Sequence, residues 1–197
     1  MDFLDKYCTF KPFTSDILSL CNKFDCNNED LNDFFTNDCV NYSSELMGKT
    51  YCFTLDSNPS DVVCIFTISN DSIKTHLLPN SIKNRINRKI PNQKRLNSYP
   101  AALIGRLGVG KSYQKKGVGK ELMNFIKSWF INPNNKTGCR YLVVDSYNEK
   151  KPIDYYTKNG FQFLFKDEKD EKKYTGFKRC EPLKTRLMYF DLIVLRN

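Results

Sequence analysis

The 197-residue chain has one histidine, His76, and none of its eight cysteines stands in a Cys-x-x-Cys pair. A transition-metal centre needs several His or Cys donors at ligand spacing, so no metal site is expected. Cys52, Cys64 and Cys139 lie in strand-like apolar runs, where cysteine acts as a small buried hydrophobe. The even cysteine count therefore reads as reduced thiols of a cytoplasmic protein and not as a disulfide framework. No apolar run approaches the ~20 residues needed to cross a bilayer. The opening MDFLDKYCTF carries acids early and lacks the uninterrupted apolar core of a signal peptide. Internal repeats and Gly/Ser/Pro linkers are missing too, so a single domain over residues 1–197 is the expected organisation.

Acid is missing from one long stretch. From Ser72 to Lys120 there is no Asp or Glu but twelve basic residues: Lys74, Lys83, Arg85, Arg88, Lys89, Lys94, Arg95, Arg106, Lys111, Lys115, Lys116 and Lys120. The whole chain has a formal charge of +9, and the 19 remaining basic residues face 22 acids, so everything outside the window sums to −3. A field this confined suits a polyanion. The plainer alternative is that Asn- and Lys-rich composition solvates a loop.

Within that window, LIGRLGVGKSYQKKGVGK (Leu103 to Lys120) runs from an apolar strand into a Gln114-x-x-Gly117-x-Gly119 turn that opens an amphipathic helix. Gly117 and Gly119 allow close backbone approach and dihedrals that other residues avoid. The first helical turn offers unpaired N–H groups and the positive end of its dipole, and Lys115, Lys116 and Lys120 add charge. A pyrophosphate is the expected guest. The same stretch contains GRLGVGKS (Gly105 to Ser112), which fits the Gly-x-x-x-x-Gly-Lys-Ser string of nucleotide triphosphatases. That reading would require Ala102 to Val109 to be strand and loop at once, so a triphosphate-binding loop is the remote alternative.

Elsewhere the patterns predict a helix starting at Asn27-Asn28-Glu29-Asp30, and a hairpin of Lys49–Asp56 and Asp61–Asn70 joined by the turn Ser57 to Ser60. A basic connection with short helical pieces follows from Ser72 to Ser98, then the central strand to Val109. The helix after Gly119 buries Leu122, Ile126 and Trp129, with Met123 and Phe130 beside them. CRYLVVDSY reads as a buried strand, KPIDYYTKNG as a short helix with Pro152 near its start and Asn159-Gly160 as its stop, and FQFLF as another strand. Lys166 to Arg179 reads as a charged, turn-rich excursion and Thr185 to Leu195 as a last strand.

Two ordered blocks, the Gln114-to-Gly119 turn and the strand–helix–strand ending in Tyr156-x-x-x-Gly160-Phe161, resemble the GNAT acetyltransferase superfamily. TYCFTLD, VVCIFTIS, YPAALIGRLGVGKSYQKKGVGKELM and YLVVDSYNEKKPIDYYTKNGF are similar to one branch of it, the bacterial toxins that acetylate the amino group of aminoacyl-tRNA. Arg106 and Val144-Asp145 stand where that branch has its own residues, whereas Gly108, Gly110 and Ser146 depart from it. The resemblance implies an α/β (α+β) GNAT fold, with a mixed, mostly antiparallel sheet splayed at the acetyl-CoA site and flanked by helices. It implies an N-acetyltransferase using acetyl-CoA, with aminoacyl-tRNA as acceptor, and it admits an antitoxin protein and a second copy of the chain as partners. A protein N-terminus, a lysine or a small amine are alternative acceptors, and a non-enzymatic binding module on a decayed scaffold is a further alternative.

Residue roles follow from the resemblance. The cofactor is expected on Gln114, Lys115, Lys116, Gly117, Val118, Gly119 and Lys120, with backbone groups of Leu107 and Val109 facing the pantetheine and thioester, and Gly108 at a bulge between them. Tyr156 matches the family's proton donor to the CoA thiolate, with adjacent Tyr155 the competitor, since neighbouring helical residues point about 100° apart. RNA phosphates are assigned to Arg85, Arg88, Lys89, Lys94, Arg95 and Arg106, because CoA accounts for the lysines after Lys111 but hardly for Lys83 to Arg95. An α-amino group titrates near ~7.7–8.0 and is partly neutral already, whereas lysine at ~10.4 wants a general base. No carboxylate lies in the basic window; Glu121, Asp145, Glu149 and the more distant Glu45 remain open as bases.

Overall fold

The computed structural model describes residues 3–88, 90, 96–178 and 180–196. In chain order it contains α1 (Phe3–Tyr7), β1 (Cys8–Pro12), α2 (Ser15–Leu20), α3 (Glu29–Asp33), α4 (Cys39–Ser44), β2 (Lys49–Leu55), β3 (Asn58–Ile73), α5 (Asn80–Asn87), β4 (Tyr99–Val109), α6 (Val118–Ile131), β5 (Tyr141–Tyr147), α7 (Lys150–Lys158), β6 (Gln162–Phe163), α8 (Glu168–Thr175) and β7 (Thr185–Asp191). The seven strands form one sheet in the order β1-β2-β3-β4-β5-β7-β6. Pairing is antiparallel for β1–β2, β2–β3, β5–β7 and β6–β7, and parallel for β4–β5 from Ala101↔Tyr141 to Leu103↔Val143. This is the expected mixed, mostly antiparallel sheet with helices around it.

By contact the chain divides into two compact units, Met1–Asn70 with Ile104–Trp129, and Asp71–Leu103 with Phe130–Asn197. The first unit buries Phe13, Phe24, Cys26, Phe35, Cys39, Cys52, Val62 and Ile65 together. Its helix α6 contributes Leu122, Met123 and Ile126, fully buried as their spacing predicts. On β1, Phe10 meets the rings of Phe53, Phe125 and Trp129 at centroid distances of 5.2, 4.7 and 5.5 Å. The second unit packs α5, through Ile82 and Ile86, against Tyr99, Tyr141, Val143, Leu164, Phe165 and Tyr189.

Several local expectations change. The hairpin turn is Asp56-Ser57, not Ser57 to Ser60: Leu55 pairs with Asn58 and Thr54 with Val62, so Pro59 and its two followers bulge out of the ladder. Proline has no N–H to give a ladder, and a bulge is where a strand tolerates it. The helix from Asn28 is capped as predicted, by the Asn28 side chain on Leu31 N, but passes through a π-helical turn over Phe34–Asp38 that buries Phe35. The predicted excursion after Lys166 is α8, whose N-cap Asp167 accepts from Asp170 N. A buried acid explains why so charged a segment folds back as helix: Glu171 holds Arg186 Nε at 2.7 Å and accepts from the Leu187 N–H. The strand expected over FQFLF shortens to Gln162–Phe163.

All eight cysteines are free, and burial pushes the thiol of Cys52 up to about 12 and that of Cys39 to about 11. No helix of the described residues is long and apolar enough to cross a membrane. Lys127 in α6 is buried, and desolvation lowers its ammonium to about 8. Between pH 8 and the unfolded value the unfolded chain binds the proton that the folded chain has lost, so this lysine makes stability rise with pH across that window. Measured against Lys127→Met, the parent should therefore gain in urea midpoint between pH 8 and pH 10. A difference that stays constant with pH would mean that the ammonium is not desolvated.

Candidate functional site

The end of β4 sits on a dense set of backbone contacts in the first unit. Gly110 N donates to Val63 O at 2.8 Å, and a Cβ there would come within 3.2 Å of Val62 O, so a side chain would require this backbone to give by a few tenths of an ångström. Gly108 is buried, and a Cβ would meet the Phe24 ring at 3.0 Å. Its glycine is accounted for by this close packing. Leu107 and Val109 are half-buried beside it. Arg106 points out and lays its guanidinium 4.9 Å above the centre of the Phe34 ring. Of the GRLGVGKS string, Gly105 to Val109 lie in β4, so the string is mostly strand and cannot wrap a triphosphate as a loop.

After a short 3-10 turn at Lys111–Tyr113, the backbone enters the left-handed region twice, at Lys115 (φ +60°) and Gly117 (φ +87°). Gly119 was expected to share that freedom, but it lies inside the first turn of α6 and takes no positive φ; the second left-handed residue is Lys115. The consequence is electrostatic. The N–H groups of Lys115, Lys116, Gly117 and Val118 donate to no group among the described residues, while Lys120 N and Glu121 N close the first helical turn on Gly117 O at 2.9 and 3.2 Å. Four consecutive donors at the positive end of a fourteen-residue helix, flanked by the exposed Lys115, Lys116 and Lys120, have the chemistry to receive an anion.

The Gln114 side chain is engaged within the protein. Its Nε2 donates to Cys26 O at 2.8 Å and Val109 O at 2.9 Å, and its Oε1 accepts from Asn27 Nδ2 at 3.2 Å. The amide is used up in tying the turn to the strand end and to the segment before α3. That segment is itself braced: Asp25 accepts from Asn27 N and Asn32 Nδ2, Lys111 N donates to Asp25 O, and Asn27 adopts φ +60°. These bonds hold the Asp25 carboxyl below its usual range. Asn27 and its neighbours looked like a helix start in the sequence; nothing there marked them as bracing for a turn some 87 residues later.

In the second unit, α7 ends where Phe161 N donates to Tyr156 O at 3.0 Å and Gly160 takes φ +80°. The Tyr156 ring is half-buried, 5.1 Å from Tyr155 and 5.5 Å from Phe161. Its hydroxyl makes no hydrogen bond among the described residues, and burial raises its pKa well above the ordinary phenol value. It is a fully protonated, unpartnered donor at neutral pH. Arg85 is committed: its guanidinium donates to Phe163 O at 3.2 Å and Leu164 O at 2.7 Å and lies over the Tyr189 ring. Arg88 is exposed, and Lys89, Lys94 and Arg95 lie outside the described residues.

Residues 87–163, from the end of α5 to β6, match the acetyltransferase (GNAT) domain family. That matched segment is a GNAT acetyltransferase domain. Acetyl-CoA is the acyl donor of that family. The chain superposes on a tyrosine-to-phenylalanine variant of KacT with a TM-score of 0.70 at 17% identity, over 97% of this chain and 98% of that one. It also matches AtaT complexed with acetyl-methionyl-tRNAfMet, with a TM-score of 0.65 at 20% identity, over 96% and 97% of the two chains. AtaTR bound with acetyl-CoA gives 0.66 at 20% identity, over 97% and 99%. At these identities the likeness establishes a shared fold.

The Gln114 clamp makes a specific demand. Gln114→Glu keeps the side-chain shape but turns a donor into an acceptor facing two carbonyl oxygens. It should destabilise the GNAT domain by about 1–3 kcal/mol at pH 7. The loss should diminish below about pH 5, where the acid regains its proton and can donate. Urea midpoints of parent and variant at pH 4.5 and 7 measure this, and equal losses at both would mean that the amide is dispensable.

Proposed function

We propose that this acetyltransferase transfers acetyl from acetyl-CoA to the α-amino group of aminoacyl-tRNA, as a toxin-like enzyme of the cytoplasm. The observation that carries cofactor binding is the run of four unpaired N–H groups from Lys115 to Val118 at the start of α6. A pyrophosphate would take those donors and the charges of Lys115, Lys116 and Lys120. Gln114 and Gly119 serve by shaping the turn, and the β4 backbone at Leu107, Gly108 and Val109 faces the pantetheine arm.

In the transfer, the neutral amine attacks the thioester carbonyl, the oxyanion collapses, and the CoA sulfur leaves as thiolate. Tyr156 gives that sulfur its proton, since a phenol with a raised pKa still holds one at neutral pH and its hydroxyl has no competing acceptor. The proton shed by the amine returns through water to the phenolate. An α-amine, partly neutral near pH 7.5, needs no dedicated carboxylate for this. The acid-free window from Ser72 to Lys120 supports an RNA-borne acceptor, with Arg88, Lys89, Lys94, Arg95 and Arg106 meeting phosphates and Arg85 acting from its fixed position. The match to AtaT complexed with acetyl-methionyl-tRNAfMet supports the same acceptor. An antitoxin protein and a second copy of the chain are its further partners under this reading.

Incubation with radiolabelled acetyl-CoA and a charged tRNA pool should leave label on RNA that mild deacylation removes. Label found on protein or free amines alone would replace this reading with a protein or small-amine acetyltransferase. Tyr156→Phe keeps the ring and removes the donor, so turnover should fall about 10²–10⁴-fold with little change in CoA affinity. The same loss in Tyr155→Phe, with Tyr156→Phe active, would move the acid one residue back. Gly117→Asp adds a charge at an open, left-handed position, and calorimetry should show CoA binding weakened at least tenfold; unchanged affinity would relocate the anion site.

A further inference from the structure

The second unit contains a cavity of about 250 Å³ that acetyl transfer does not use, walled by Arg85, Arg88, Gln162, Tyr189, Phe190 and Asp191 among others. We infer that it holds one unstacked base of the RNA acceptor, an inference that rests on the aminoacyl-tRNA reading above. Its volume is below the roughly 300–1,000 Å³ of pockets for drug-sized ligands and suits a single planar heterocycle.

The wall chemistry fits a base. Single-stranded RNA is gripped by stacking its bases on aromatic rings and guanidinium planes and by bonding their edges. Arg85 supplies such a plane already immobilised: two backbone carbonyls fix its guanidinium 5.6 Å from the centre of the Tyr189 ring. An Arg fixed this way loses little side-chain freedom on binding. Gln162, exposed on the edge strand β6, brings two donors and an acceptor, and its Oε1 lies 3.5 Å from the Tyr189 hydroxyl, so both faces of a base edge can be read there. Arg88 on the rim is exposed and has no ion pair among the described residues, which leaves it for the adjoining phosphate. The acid in this wall, Asp191, is held by Arg140 through contacts of 2.7 and 3.0 Å and does not oppose an anion.

The cavity is also joined to the proton donor of the same unit. Phe190 lines it, Phe161 lies 5.7 Å from Phe190, and Tyr156 lies 5.5 Å from Phe161, so two ring contacts separate the cavity from the phenol. A base seated here would fix an RNA strand at a set distance from Tyr156.

Fluorescence anisotropy should compare a short single-stranded RNA with the same backbone carrying abasic sites. The parent should prefer the intact RNA by about tenfold or more, as loss of one stacked base predicts. Gln162→Glu, at an exposed position, should erase most of that preference. An oligonucleotide containing a photoreactive thiobase should cross-link to peptides holding residues 160–162 or 188–191. Equal binding of intact and abasic RNA, or cross-links mapping elsewhere, would overturn the cavity assignment even if charged tRNA is acetylated. A preference and cross-links at this cavity without acetylation of charged tRNA would keep the base site and remove the proposed acceptor. Cross-linking blocked equally well by an unrelated peptide would mark a protein-docking groove and overturn the proposal.

Discussion

Three hydrogen bonds from one amide hold the turn before α6 in shape. The stretch after β4 must leave the sheet, turn through two left-handed residues and enter α6 with its first N–H groups unspent. Such a turn has no regular ladder to stabilise it. Gln114 supplies the missing restraint by bonding Cys26 O, Val109 O and Asn27 Nδ2 at once, which fixes the strand end, the turn and the segment before α3 to one another. The free N–H groups are then a product of geometry, since a backbone held at positive φ at Lys115 and Gly117 cannot fold them back onto neighbouring carbonyls.

The two candidate elements, the turn before α6 and Tyr156, are prepared in opposite ways. The turn before α6 is charged, solvent-facing and short of acceptors, which favours an anion. Tyr156 is half-buried among rings and its hydroxyl lacks an acceptor among the described residues, so burial keeps its proton in place at neutral pH. Each arrangement leaves hydrogen-bonding capacity unused in the free protein, and unused capacity of this kind is what differential binding of a ligand or a leaving group draws on.

Charge on this protein divides by role as well as by position. Arg85, though exposed, is held on backbone carbonyls of the second unit, Arg186 is spent on the buried Glu171, and Arg140 on Asp191. Lys115, Lys116, Lys120 and Arg88 remain exposed. Counting basic residues along the sequence could not separate these groups, because a guanidinium that caps carbonyls and one that meets solvent have the same letter.

The sequence by itself determined the central elements and the turn that opens α6. An apolar strand ending at Val109, glycines at 117 and 119 and an amphipathic helix after them are local signals, carried by residues within twenty positions of each other. The same holds for the strand, helix and Gly160 stop around Tyr156. Only the tertiary structure decided the role of Gln114, since its partners Cys26 and Asn27 lie 88 and 87 residues away, and a side chain's hydrogen-bond partners across such distances leave no periodicity to read. The strand β1 and helix α8 were likewise illegible. One is five residues with no clear alternation, and the other is a run of charges whose helicity depends on Glu171 reaching Arg186 and Leu187. Local pattern determines a segment where its own residues supply the stabilising contacts; long-range pairing decides it where they do not.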